Sequence, residues 1–198
     1  MVLGMNKLLC VIALCFLNFF AVADSQKIGD YINDILKSTF VILNNNDLNV
    51  DKKENQLEEI LRQNLDFEYM SKQVLGRASG GVSSSDFSAF KAVYAKYIVS
   101  IYAGAVKNYR GQHVEIKSVT QNNLGMYVVQ TVIRSSDNAA TFNINYQVAK
   151  AVDGGFKIQD IITEGISLIS TQRADFGSVI SGGSSILPLI QKLSVMVN

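Results

Sequence analysis

One change of rhythm constrains this chain more than any other feature. Up to about residue 110 apolar residues recur at helical spacing, and from about His113 they alternate. The alternation is cleanest in TFNINYQV, where Phe142, Ile144, Tyr146 and Val148 share one face and Asn143, Asn145 and Gln147 the other. HVEIKSV, MYVVQTVIR and FKIQDII are the neighbouring strand candidates. Their links are short and carry turn residues, Asn122, Asn123 and Gly125 in one and Asp153, Gly154 and Gly155 in another, so the strands should pair as antiparallel hairpins. Helices first and a meander after make an α+β domain.

In the helical half, residues 26–43 put Ile28, Tyr31, Ile32, Ile35, Leu36 and Leu43 on one stripe, with Lys27, Asp30, Asp34 and Lys37 opposite. The polar NNNDLN stretch breaks that helix. Asp51 then offers a cap to a second helix marked by Leu57, Ile60, Leu61 and Leu65. DFEYMSKQVLG reads as a short third helix ended by Gly76. After a loop rich in Ser and Gly comes the longest periodic segment, SSDFSAFKAVYAKYIVSIYAGAVKNY, with Ser84 or Ser85 as its cap. Phe87, Phe90, Tyr94, Tyr97, Ile98, Ile101, Tyr102, Ala105 and Tyr109 cover a wide face of it. Beyond FKIQDII, GISL turns out of the sheet into a helix over residues 170–180. A last helix spans residues 185–197, with Pro188 tolerated in its first turn.

The N-terminus has the form of a secretory signal: Lys7, a short apolar run, then Ala21-Val22-Ala23 as a small-x-small cleavage pattern before Asp24. A mature chain of residues 24–198 would form a single domain. It would lack both Cys10 and Cys15, and with them disulfides and thiol chemistry. Net charge is +1 from 18 basic and 17 acidic residues; losing Lys7 brings it to zero, and no basic run suited to a phosphate backbone appears. Nucleic acid is therefore not an expected partner. With 48% of residues hydrophobic, the chain has enough apolar surface to form a core without covalent staples.

Catalytic arrangements are scarce. His113, the only histidine, stands at a strand start, where an edge position is the expectation. Ser88 and Lys91 match an SxxK spacing, but its partner motifs are absent. The glycine pairs at 80, 154 and 182 lack the context of a phosphate cradle and read as turns. Metal ligation would need more His or Cys than the mature chain holds. Asp160 alternates with Phe156, Ile158 and Ile162, which puts a carboxylate on an apolar face, where it needs a partner. Arg173 on the following helix is the expected one, in a structural ion pair, with Glu164 competing. The catalytic alternative makes Asp160 a base acting on a small apolar substrate.

What the chain has in abundance is aromatic and branched apolar surface, on one helix face and on the inner face of a sheet. Such surfaces form either a solid core or, where curved sheet and helices do not close together, an apolar cavity. Composition leaves both readings open.

Three segments carry a resemblance: DFEYMSKQVLGR, DFSAFKAVYAKYIVSIYAGAVKNY and GFKIQDIITEGISLISTQRADFGSVI, in this order after a signal-like N-terminus. Together they resemble the MlaC family, also called the toluene-tolerance auxiliary family, over nearly the whole mature chain. The resemblance implies soluble periplasmic carriers of phospholipid, without cofactor or catalysis. It implies N-terminal helices on a highly curved antiparallel sheet, enclosing acyl chains in an apolar pocket. It also implies docking partners: an inner-membrane ABC transporter complex of the Mla type and an outer-membrane lipoprotein complex. On this reading the pocket is lined from the tyrosine-rich helix by Phe90, Tyr94, Tyr97, Ile98 and Ile101. The sheet adds Val129, Ile133, Phe142, Ile144, Tyr146 and Ile158, and the turn at the mouth adds Ile166 and Leu168. Two departures affect the rim: Ala78 and Ser79 follow Arg77 where members carry bulky aromatics, and Phe156 stands where a Trp is frequent. A chaperone or adaptor for lipoproteins or peptides is the remaining alternative, favoured by a pocket too small for acyl chains.

Overall fold

The computed structural model describes residues 5–104, 107, 109–122, 125–135, 141–181 and 185–197, with side chains from Asp24 onward apart from that of Ser181. Expectations on Ala105, Asn123, the glycine pair at 182 and the side chains of the signal-like segment fall outside these residues. The helical half consists of α1 (Met5–Asn44), α2 (Val50–Asn64), α3 (Phe67–Leu75), a 3-10 stretch (Gly76–Gly81) and α4 (Ser84–Ala103). The sheet follows as β1 (His113–Gln121), β2 (Tyr127–Arg134), β3 (Thr141–Lys150), β4 (Phe156–Thr163) and β5 (Ile166–Ser167). It leads into α5 (Leu168–Ser181) and α6 (Leu187–Met196).

Local chemistry sets the boundaries. Asn49, not Asp51, caps α2 by accepting the Lys52 amide, and Ser83, just before the serines expected, caps α4 by accepting the Asp86 amide. Asp66 caps α3 through the Tyr69 amide, and Gly76 ends that helix at φ +56°, a backbone conformation that side chains with a Cβ resist. The long helix stops earlier than its apolar spacing suggests: Gly104, a poor helix former, is the C-cap of α4. Pro188 sits in the first turn of α6, where its missing N–H costs nothing.

The sheet is an antiparallel meander in the order β1-β2-β3-β4-β5. The two-residue β5 is an addition to the expected pattern: GISL does not leave the sheet at once, because Ile166 and Ser167 first pair back on Thr163 and Ile162. Its turn needs left-handed backbone at Glu164 (φ 48°) and Gly165 (φ 80°). The strained Glu164 is held by Asn143, whose carbonyl accepts the Glu164 amide and whose own amide donates to Oε1.

Two bulges shape the sheet. In β1 the register passes from Ile116 opposite Thr131 to Ser118 opposite Gln130, leaving Lys117 as the extra residue. In β4 it passes from Ile158 opposite Val148 to Asp160 opposite Gln147, leaving Gln159 extra. Each bulge bends its strand and shifts the face on which successive side chains lie. Phe156 and Ile158 therefore share the inner face with Val148, but beyond the bulge that face is taken by Ile161, opposite Tyr146.

One end of the molecule is solid. There Ile28 and Ile32 of α1, Met70 and Val74 of α3, and Phe90, Tyr94 and Ile98 of α4 pack with Val129 and Val148 of the sheet and with Leu189 and Leu193 of α6. Each such side chain contributes on the order of 1.5–3 kcal/mol through burial. The α4 helix lies at the centre, against α2, α3 and α6. Its buried Tyr94 hydroxyl donates to Gln172 of α5, and burial pushes that hydroxyl far above the ordinary tyrosine range. The chain between α2 and α3 is stitched to β4: Leu65 bridges Ile158, and the Asp66 amide donates to the Ile158 carbonyl at 2.8 Å.

Candidate functional site

The other end is hollow. A cavity of about 430 Å³ lies between the C-terminal half of α1, α2 and the inner face of the sheet. From α1 it is lined by Ile35, Leu36, Thr39, Phe40 and Leu43, and from α2 and its end by Leu57, Ile60, Leu61 and Leu65. The sheet supplies Val114, Ile133, Phe142, Ile144, Tyr146, Ile158 and Ile161, the end of α4 supplies Tyr102, and the approach to β1 supplies Tyr109 and Gln112. The sheet register explains the set: Val114, Ile133 and Phe142 stand opposite one another in turn across β1, β2 and β3, and Tyr146 stands opposite Ile161. Side chains directly opposite project to the same side of an antiparallel pair, so these residues form one continuous wall.

The wall is carbon with few polar tips. Burial pushes the Tyr146 hydroxyl up to about 12; the residue is half-buried at the cavity wall, with Thr131 beside it. Burial likewise pushes Tyr102 up to about 12, with Tyr146 and Asp160 adding to the effect, so both phenols are neutral at physiological pH. Thr131 satisfies its own hydroxyl on the Ile144 carbonyl at 2.6 Å. Among the described residues no ionised side chain lines the cavity. It therefore offers dispersion and dryness and only weak hydrogen bonding, which fits hydrocarbon rather than a charged ligand.

Polar contacts gather where α1 and α2 meet the chain that leads to β1. The Tyr109 hydroxyl donates to Asn44 at 3.1 Å, and its ring stands 6.2 Å from that of Phe40. Lys107 pairs with Glu54 of α2 at 3.0 Å, and Lys53 donates to the Leu43 carbonyl at 2.6 Å, joining the two helices. Phe142, 51% exposed, marks the opening on the sheet side.

Of the sequence-predicted lining, the structure brings together Ile133, Phe142, Ile144, Tyr146 and Ile158 around the cavity. The tyrosine-rich helix does not supply its wall. Phe90, Tyr94 and Ile98 are fully buried in the solid core, Tyr97 packs beside Phe176 at a ring separation of 6.2 Å, and Ile101 is 48% exposed. Only Tyr102 of α4 reaches the cavity. Val129 is core, Leu168 packs against that core at the start of α5, and Ile166 is 66% exposed on β5. The helical wall that sequence reasoning missed belongs to α1 and α2. Their stripes were visible, but an apolar stripe names a buried face and not what that face encloses.

The Asp160–Arg173 ion pair does not form. Asp160 is 5% exposed, and its carboxylate accepts the Ile161 amide at 2.9 Å, the Ile169 amide at 3.2 Å and the Ser167 hydroxyl. It thus caps the strand-to-helix turn. The bulge at Gln159 is the physical reason, because it places Asp160 out of phase with Phe156 and Ile158 and over that turn. Arg173 instead donates to the carbonyl and side-chain oxygen of Gln73, at 2.6 and 3.2 Å, near the end of α3. Nor does Asp160 line the cavity, so a base acting there finds no support. Among the described residues no three His, Cys, Asp or Glu side chains gather as a metal site would require.

Comparison with known proteins adds to this geometry. No curated protein matches the sequence. Among solved structures, the phospholipid-binding protein from Ralstonia solanacearum, determined in complex with a phospholipid, shares the fold at a TM-score of 0.70 and 23% identity. The match covers 86% of this chain and 94% of that one. The family model described as MlaC protein matches residues 33–195, from within α1 to within α6. This chain belongs to the MlaC family.

Proposed function

We propose that residues 24–198 are a phospholipid carrier, exported to the periplasm with removal of a signal peptide after Ala23, which takes up acyl chains between the α1–α2 pair and the sheet. The observation that carries this reading is the hollow end itself: a chain of the MlaC family keeps a cavity walled by Leu61, Ile133, Ile144, Ile158 and their neighbours, with few polar side chains among them. The Ralstonia protein of the same fold, solved with a phospholipid, supports the same ligand class.

The physics suits transport. Each methylene removed from water is worth about 0.8 kcal/mol, so an acyl chain crossing an aqueous space unshielded would cost on the order of 10 kcal/mol. A dry cavity removes that cost. Because the bilayer interior is equally apolar, transfer between membrane and cavity is nearly balanced, and docking to a partner then sets the direction. The partners on this reading are an inner-membrane ABC transporter complex of the Mla type and an outer-membrane lipoprotein complex. The head group stays at the mouth near Gln112 and Tyr109.

Lipid extraction from protein purified without detergent tests the proposal. Phospholipid should be recovered in amounts comparable with the protein. Recovering none, together with failure to take up labelled phospholipid from vesicles, would overturn it.

A further inference from the structure

Around the mouth of the cavity, apolar side chains face solvent on both sides. On the helix side stand Val41 of α1 and Val50 of α2, 71% and 45% exposed. Each lies within one helical turn of a contact that gathers the elements at the mouth: Val41 precedes Asn44, which accepts from Tyr109, and Val50 precedes Lys53, which donates to the Leu43 carbonyl. On the sheet side stand Phe142 and Ile166, both more than half exposed. The register puts Ile166 opposite Thr163 and Thr163 opposite Ile144, a residue of the cavity wall. Ile166 therefore projects to the cavity side and carries that wall past the last long strand into solvent. Its position is fixed, because Asn143, next to Phe142, holds the preceding turn through its two bonds to Glu164.

Charges beside this ring are engaged within the molecule: Lys107 on Glu54, Lys53 on the Leu43 carbonyl and Glu164 on the Asn143 amide. A protein-docking surface has a contiguous apolar centre with polar groups that fix register. Apolar side chains spaced singly around an opening fix none, and they suit a fluid apolar medium that needs none. Resting on the carrier reading above, we propose that the ring of Val41, Val50, Phe142 and Ile166 is where the protein rests directly on a lipid surface. The four side chains enter the outermost hydrocarbon and bring the mouth against it, so acyl chains pass from bilayer to cavity without crossing water. The contact is small and so reversible, as a carrier that must leave again requires. Being apolar, it does not depend on head-group charge.

The test uses residues 24–198 freed of lipid, and vesicles of phosphatidylcholine, alone or mixed with phosphatidylglycerol, that carry a fluorescent phospholipid. Uptake is read as the rate at which label passes from vesicle to protein. The double substitution Val41→Gln with Ile166→Gln removes one apolar contact from each side without adding charge, and neither residue lines the cavity. It should slow uptake about ten-fold or more, while binding of a lysophospholipid from solution, below micelle formation, stays at the wild-type level. Val152→Gln, at the exposed tip of the β3–β4 hairpin and so at the far end of the sheet, should leave the rate unchanged. For the unaltered protein the rate should differ less than about two-fold between the two kinds of vesicle and between low and high salt. A double variant that takes up lipid at the wild-type rate, a loss shared by Val152→Gln, or a strong dependence on anionic lipid would overturn the apolar contact. Uptake that requires a membrane protein in the vesicle would overturn it too, assigning the ring to a protein partner. Failure to bind both vesicle lipid and lysophospholipid would instead overturn the carrier reading itself.

Discussion

Asp160 acts as a cap with three donors on one carboxylate, two of them buried amides. Asp160→Ala would leave those donors without an acceptor, and we expect a loss of about 3 kcal/mol or more in urea unfolding. Asp160→Asn, which keeps one acceptor oxygen, should cost less. Arg173→Ala removes two hydrogen bonds to Gln73 at an exposed position and should cost about 1 kcal/mol. Because the two side chains have separate partners, the double variant should be additive within about 0.5 kcal/mol. A coupling well above 1 kcal/mol would show that they are paired after all. The sequence marked this carboxylate as buried and in need of a partner. It could not name the partner, because one bulged residue shifts the strand's phase, and no pattern of apolar residues announces a bulge.

The helices separate the same way. The periodicity of α4 was legible, and so was its breadth; a helix apolar around most of its surface is a central pillar, and α4 is packed on three sides by other helices. Its tyrosine-rich face lies mainly in the core because tyrosines suit a core as well as a rim when their hydroxyls find partners, as Tyr94 finds Gln172. The distinction can be tested by enlarging one residue of each kind. Ile98→Trp adds a ring where side chains already fill the space and should destabilise the protein by several kcal/mol, read by thermal and urea unfolding. Ile144→Trp projects into the cavity and should leave stability within about 1 kcal/mol while lowering the lipid recovered per folded molecule. Equal destabilisation by both would mean that the hollow end is packed.

Across the molecule, the order of elements and the antiparallel meander follow from the change in periodicity at His113 and from short turn-rich links, both written locally in the chain. The division into a solid and a hollow end is not local. It depends on how far α1 and α2 stand from the sheet, a distance set by many contacts at once. That distance hinges on a place already described, the stitch of Leu65 and Asp66 onto Ile158. Its consequence is a boundary in amide protection. Residues on the α3 side are bound into the core, so their amides should exchange with deuterium only through near-global unfolding. Those of α2 and the second half of α1 border the cavity and should exchange through smaller openings that pivot at Leu65. Hydrogen exchange followed peptide by peptide should show a step in protection between residues 64 and 67. Added lipid should raise protection on the α2 side of that step and leave α3 unchanged, whereas uniform protection across it would mean that the two ends open as one.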